Sequence, residues 1–208
     1  MKSKILFFAI LIFSMSTISC RHENKSFKLF KKESVTRKIN VILYDNFPEK
    51  RANYFITELK KIFPEVEITK VNEPLPESAW YAPRNRYLAI KILDYMKPLT
   101  PGNTISLGFT DKDISQMRGK INWGIIGLSY KPGKTVIIST YRLNKKKTYQ
   151  QGVKLCLHEL AHAEGLDHCE KAHNCILRAA KGKNHFDELT GFCKSCSDYL
   201  TKKGWKLQ

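Results

Sequence analysis

The sequence predicts an α/β (α+β) domain: a twisted, mixed five-stranded sheet with packed helices and a smaller cysteine-rich lobe at its C-terminal end. Three observations carry this. Strand-like apolar runs alternate with segments of helical periodicity, one long helix-patterned segment ends at Gly165, and four of the six cysteines follow that glycine. At 208 residues and 42% hydrophobic content, the chain is long enough to bury a real core.

The first element is a targeting segment. Lys2 and Lys4 precede an apolar stretch from Ile5 to about Met15, then small and polar residues, then Cys20. This is the pattern of a secretory signal, and the apolar run falls short of the roughly 20 residues that a membrane-spanning helix needs. The placement of Cys20 resembles a bacterial lipoprotein signal, in which that cysteine is lipidated, although Thr17 stands where such signals carry an aliphatic residue. Residues 1–20 are thus expected to be a signal peptide of lipoprotein type, with an ordinary cleaved signal as the alternative. The protein is expected to be exported and anchored to the membrane of the cell envelope through Cys20, or otherwise secreted. Residues 21–38 are polar, basic and aperiodic, as suits a linker, and the folded domain is expected over 39–208.

Residues 39–44 read as a buried strand. A helix is expected over 51–63, where Ala52, Phe55, Ile56, Leu59 and Ile62 share one face before Pro64 ends it. Residues 66–71 alternate like a half-exposed strand, and a loop with Pro74 and Pro76 leads to a helix expected over 86–96. Three more strands are expected at 104–109, 123–128 and 135–140, giving the order β-α-β-α-β-β-β. A long helix over 148–164 follows, stopped by Gly165.

Charge narrows the partners. Lys and Arg number 36 against 19 Asp and Glu, a formal net charge of +17. A solvated basic surface with no specific ligand accounts for it, and an anionic membrane or cell surface, acidic peptides or nucleic acid would each suit it as a partner. The cations are scattered in ones to threes, as at Lys145, Lys146 and Lys147, without the interleaved aromatics of a single-strand-binding groove. The export signal argues further against nucleic acid. The chain is expected to be a monomer.

The chemistry lies in HELAHAEGLDH, residues 158–168. Helical residues four apart share a face, so His158 and His162 can present imidazole nitrogens to one ion. A catalytic zinc takes three protein ligands and keeps an open position, so the third ligand must arrive from outside the helix. Gly165 permits the turn that returns His168 to the metal. Glu159 is placed beside the ligands to work on a water as general base without being a ligand itself. His158, His162 and His168 are thus the expected zinc ligands and Glu159 the expected catalytic residue.

Cys169 with Cys175, and Cys193 with Cys196, form two short-spaced pairs that suit a tetrahedral four-cysteine zinc site. Disulfides are the alternative open to an exported protein, and a redox pair at Cys193 and Cys196 is a third. Cys156, on the far side of the helix from His158, reads as a core residue.

These residues resemble a known family. HELAHAEGLDHC at 158–169, followed by Cys175 and by FCKSC at 192–196, is similar to the archaemetzincins, whose mark is an extended metzincin motif continued by four structural-zinc cysteines. Upstream, RNRY at 84–87, LGFTDKD at 107–113, NWGIIG at 122–127 and STYRL at 139–143 resemble that family's successive strands and loops. The similarity spans about residues 39–200. It implies a metzincin-like zincin fold, with the twisted sheet above a cleft, an active-site helix, and the C-terminal lobe below. It also implies an edge strand along which an extended peptide aligns, by position 123–128. The activity implied is zinc-dependent hydrolysis of a peptide or protein substrate, with one catalytic and one structural Zn2+. Two positions depart from the pattern. The spacing from Cys169 to Cys175 is one residue longer, and Leu177 stands where metzincins place a Met beneath the catalytic zinc. Leucine fills similar apolar volume. The alternative that Leu177 leaves open is a catalytically inactive zinc-binding domain that binds a protein or surface partner.

Overall fold

Alternation of side chains across a sheet decides which helix covers which face. The computed structural model describes residues 38–64 and 66–207, so the signal, Cys20 and nearly all of the linker lie outside the described residues. Five strands form the main sheet: β1 (Lys38–Tyr44), β2 (Glu67–Glu73), β5 (Thr104–Thr110), β8 (Gly127–Ser129) and β9 (Thr135–Ser139). Their spatial order is β2-β1-β5-β9-β8; the first four run parallel, and β8 pairs antiparallel on β9 at the edge. Central β5 and β9 are buried throughout, as a sheet covered on both faces requires.

Val41, Leu43, Leu107, Phe109, Val136 and Ile138 project to one side. There they meet Ala52, Phe55 and Leu59 of α1 (Glu49–Ile62), and Leu155, Leu160 and Ala161 of α3 (Thr148–Ala163). The alternate residues Ile42, Tyr44 and Ile137 meet Ile92, Leu93 and Met96 of α2 (Ala89–Met96) on the other side. A period of two along the strands therefore splits the core into two layers.

Two expectations are corrected. The helix expected from residue 86 begins only at Ala89, because Asn85 is left-handed (φ 51) and Tyr87 N donates to Asp113 O, which draws Arg86–Leu88 into strand β4. The strand expected over 123–128 is broken at Ile126. Its first part belongs to β7 (Ile121–Ile125), paired with β6 (Ile114–Arg118) in a tight hairpin, while β8 joins the main sheet. With β3 (Trp80–Tyr81) these strands make a second, four-stranded sheet in the order β3-β4-β6-β7. The one expected edge strand is thus two edges, one in each sheet.

The C-terminal lobe adds α4 (Lys194–Lys202) but has no separate core. Trp205 packs edge-on to Phe63 at 4.7 Å, Lys206 N donates to Ile62 O, and Leu177, Phe186, Leu189 and Leu200 join the layer under α3.

Candidate metal centre and active site

Helix α3 is buried on nearly every side, between the sheet, α1 and the lobe. Such a helix can carry polar groups only where they are satisfied or serve a ligand. His158 and His162 lie one turn apart, with ring centroids separated by 4.6 Å. After Ala163 the helix stops: Gly165 takes φ 108, its N–H donates to His162 O, and Leu166 N donates to Ala161 O. A side chain would strain that backbone, which glycine adopts freely. The turn brings the ring of His168 to 4.7 Å from His162 and 5.4 Å from His158, and one ring nitrogen from each of the three lies within 4.8 Å of the others.

Two backbone carbonyls fix which nitrogens are free. His158 Nδ1 lies 2.7 Å from Ile176 O, and His162 Nδ1 lies 2.6 Å from Leu166 O. A carbonyl only accepts, so each Nδ1 carries the proton and each Nε2 presents a lone pair. Those two Nε2 atoms face each other at 3.1 Å with no proton between them. Burial, reinforced by His162, pushes His158 down to about 3, and burial also lowers His162 and His168, so the rings are neutral. Converging neutral lone pairs fit a shared cation. Tetrahedral zinc with bonds of about 2.0–2.1 Å requires ligand nitrogens about 3.3 Å apart.

Glu159 is buried on the same helix and lies under the edge strand β8. Ser129 Oγ donates to its Oε2 at 3.3 Å, and burial raises its carboxyl to about 8, with the Ser129 bond opposing. Gly127 leaves room for it: a Cβ there would stand 2.5 Å from Glu159 Oε1.

The second cluster is as close. One sulfur from each of Cys169, Cys175, Cys193 and Cys196 lies within 4.8 Å of the others, and Cys169 Sγ is 3.6 Å from Cys193 Sγ. That is far beyond a disulfide's length of about 2.05 Å and near the roughly 3.8 Å expected between two thiolates on one zinc. All five described cysteines are free thiols, and Cys156 is a buried core residue, as read from its helix position. The two clusters are joined by short chain. Cys169 follows His168 directly, Ile176 O holds His158, and Leu177 O accepts from Cys169 N at 2.8 Å. Leu177 is fully buried in the same layer.

Every expected ligand therefore falls in one of two clusters, with Glu159 beside the first. Ser129, Gly127 and the two carbonyls escaped sequence reading. A lone serine or glycine on a short strand carries no periodic signal, and a carbonyl carries none at all.

A mixed sheet whose antiparallel edge strand covers a buried glutamate, on a helix that presents two histidines to a third beyond a glycine turn, defines a zinc metallopeptidase scaffold of the metzincin type. Residues 55–202 match the model of peptidase family M54, and the chain belongs to that family. It is 29% identical over 142 residues to the archaemetzincin of Methanopyrus kandleri, covering 66% of this chain and 79% of that protein. It is 29% identical over 161 residues to the archaemetzincin of Nanoarchaeum equitans, covering 77% of this chain and 88% of that protein. The crystal structure of the Methanopyrus kandleri archaemetzincin superposes with a TM-score of 0.70 at 25% identity, covering 82% of this chain and 96% of that one.

Proposed function

We propose that the protein is a zinc-dependent peptidase in which His158, His162 and His168 hold the catalytic ion and Glu159 is the general base. The observation that carries this reading is the pair of Nε2 atoms at 3.1 Å, left free by the carbonyls that hold each Nδ1, beside the buried Glu159 carboxyl group. Zinc bound there would polarise a peptide carbonyl and bring the pKa of a water toward about 7. Glu159 takes the proton of the attacking water and returns it to the leaving amine nitrogen, so that one water is consumed and an acid and an amine are released. Ser129 holds the carboxylate in place, and β8, at the sheet's edge, offers backbone groups to an extended substrate.

Cys169, Cys175, Cys193 and Cys196 hold a second, structural zinc in this reading, and export with anchoring through Cys20 places the enzyme at the envelope. A second reading rests on Leu177: an inactive zinc-binding domain that captures a partner. Alanine at Glu159 separates the two. The wild type is expected to cleave peptides and to lose this on chelation, while Glu159→Ala retains zinc and cleaves nothing. A zinc-loaded wild type inert toward a broad peptide library would favour the second reading, and turnover unchanged in Glu159→Ala would remove that residue from the mechanism.

A further inference from the structure

We propose that the β6–β7 hairpin is a lipid-docking element that seats the domain on an anionic phospholipid surface. Pairing in the hairpin puts Trp123 opposite Gln116 and Ile121 opposite Arg118, on the face that further down carries Ile114 and Ile125. Ile114 and Ile125 pack with α2, whereas Trp123 is 51% exposed and Ile121 is 56% exposed. The opposite face of the tip carries Met117, 38% exposed. Three of the nine large exposed hydrophobics among the described residues thus fall within seven consecutive residues, on both faces of one two-stranded ribbon.

Charge selects the occupant. Residues 114–125 contain Arg118 and Lys120 and no acidic residue, and neither cation forms an ion pair among the described residues. Cations without a carboxylate partner, such as Lys50 and Lys91, also occur elsewhere among the described residues; what sets the hairpin apart is that its two cations flank exposed Trp, Ile and Met with no acidic residue among them. Unmatched cations between Trp, Ile and Met suit a bilayer interface, where the indole sits at headgroup depth and the cations meet anionic headgroups. A peptide added along β7 would engage one backbone edge, leaving Met117 and Ile121 on opposite faces without a common partner; a ribbon tip entering a lipid interface covers both. Because β7 continues through Ile126 into β8, which covers Glu159, docking would set the cleft's height above the surface.

Tryptophan quenching by lipid tests it on the full chain. The chain has three tryptophans, Trp80, Trp123 and buried Trp205, so Trp80→Phe leaves one exposed reporter. With vesicles of equal parts phosphatidylglycerol and bromine-labelled phosphatidylcholine, about half of the emission should be quenched. The further change Trp123→Phe should abolish the quenching, and Arg118→Gln with Lys120→Gln should weaken docking about 30-fold. No quenching of Trp80→Phe, or quenching that survives Trp123→Phe, overturns the proposal. Equal quenching on pure phosphatidylcholine overturns its anionic component. If acidic peptides shift Trp123 emission while bilayers do not, the hairpin is a peptide subsite and the lipid assignment fails.

Discussion

Alanine at Gly127 tests whether Glu159 must hold its place beneath β8. An ideal Cβ at that position lies 2.5 Å from Glu159 Oε1, 2.7 Å from Cγ and 2.8 Å from Cδ, against ordinary contacts of at least 3.4 Å. A displacement of about 1 Å must therefore be absorbed, a misplacement that costs on the order of 100-fold in rate when it falls on a reacting group. The carboxylate has little room to recede, since Glu159 is 6% exposed and its helix is packed against the sheet. The alternative relief is to lift β8 from β9. Overpacking of this kind costs about 1–3 kcal/mol, and each kcal/mol lowers Tm by roughly 2–4 °C in a domain of this size. The assay is turnover of a peptide that the wild type cleaves, with zinc content and Tm measured on the same samples. The expected result is kcat down about 100-fold with zinc retained and Tm lower by several degrees. Full turnover in a folded, zinc-loaded Gly127→Ala protein would refute the argument, because the carboxylate would then tolerate displacement.

Two further outcomes follow from the packing of the lobe. Trp205 is 2% exposed, packs edge-on against Phe63 and Phe192 and donates from Nε1 to Glu164, so Trp205→Ala should destabilise by about 3–5 kcal/mol in a denaturant titration. A loss below about 1 kcal/mol would mean that the lobe docks without it. If the four thiols hold a zinc as proposed, Cys175→Ser should lower the zinc bound per chain and also weaken zinc at the histidines about 10-fold, because Cys175 and Ile176 are adjacent and Ile176 O orients His158. Competitive chelation reads both affinities, and an unchanged histidine site would show that the clusters are independent.

Local pattern alone determined much of this protein. Apolar runs located β1, β5 and β9 of the main sheet to within about two residues, because burial on both faces leaves continuous hydrophobic segments, and alternation located the more exposed β2. The spacing of His158, His162, Gly165 and His168 identified the first cluster, since helical periodicity and a glycine turn are local devices whose geometry follows from residue type. The cysteine pairs are local in the same way, but their convergence into one cluster is not: it depends on how the segment from Cys169 to Cys175 folds back on α4. Only the tertiary structure decided that the run 123–128 divides between two sheets, that Arg86–Leu88 is strand before it is helix, and that Ser129 and Gly127 bracket Glu159. Each depends on a partner outside the segment itself: Asp113 for Tyr87, β6 for β7, α3 for β8. The proton placement on His158 and His162 comes from carbonyls at Ile176 and Leu166, groups that every residue carries and no sequence distinguishes. Side-chain pattern specifies which faces are buried; long-range backbone pairing decides what those faces meet.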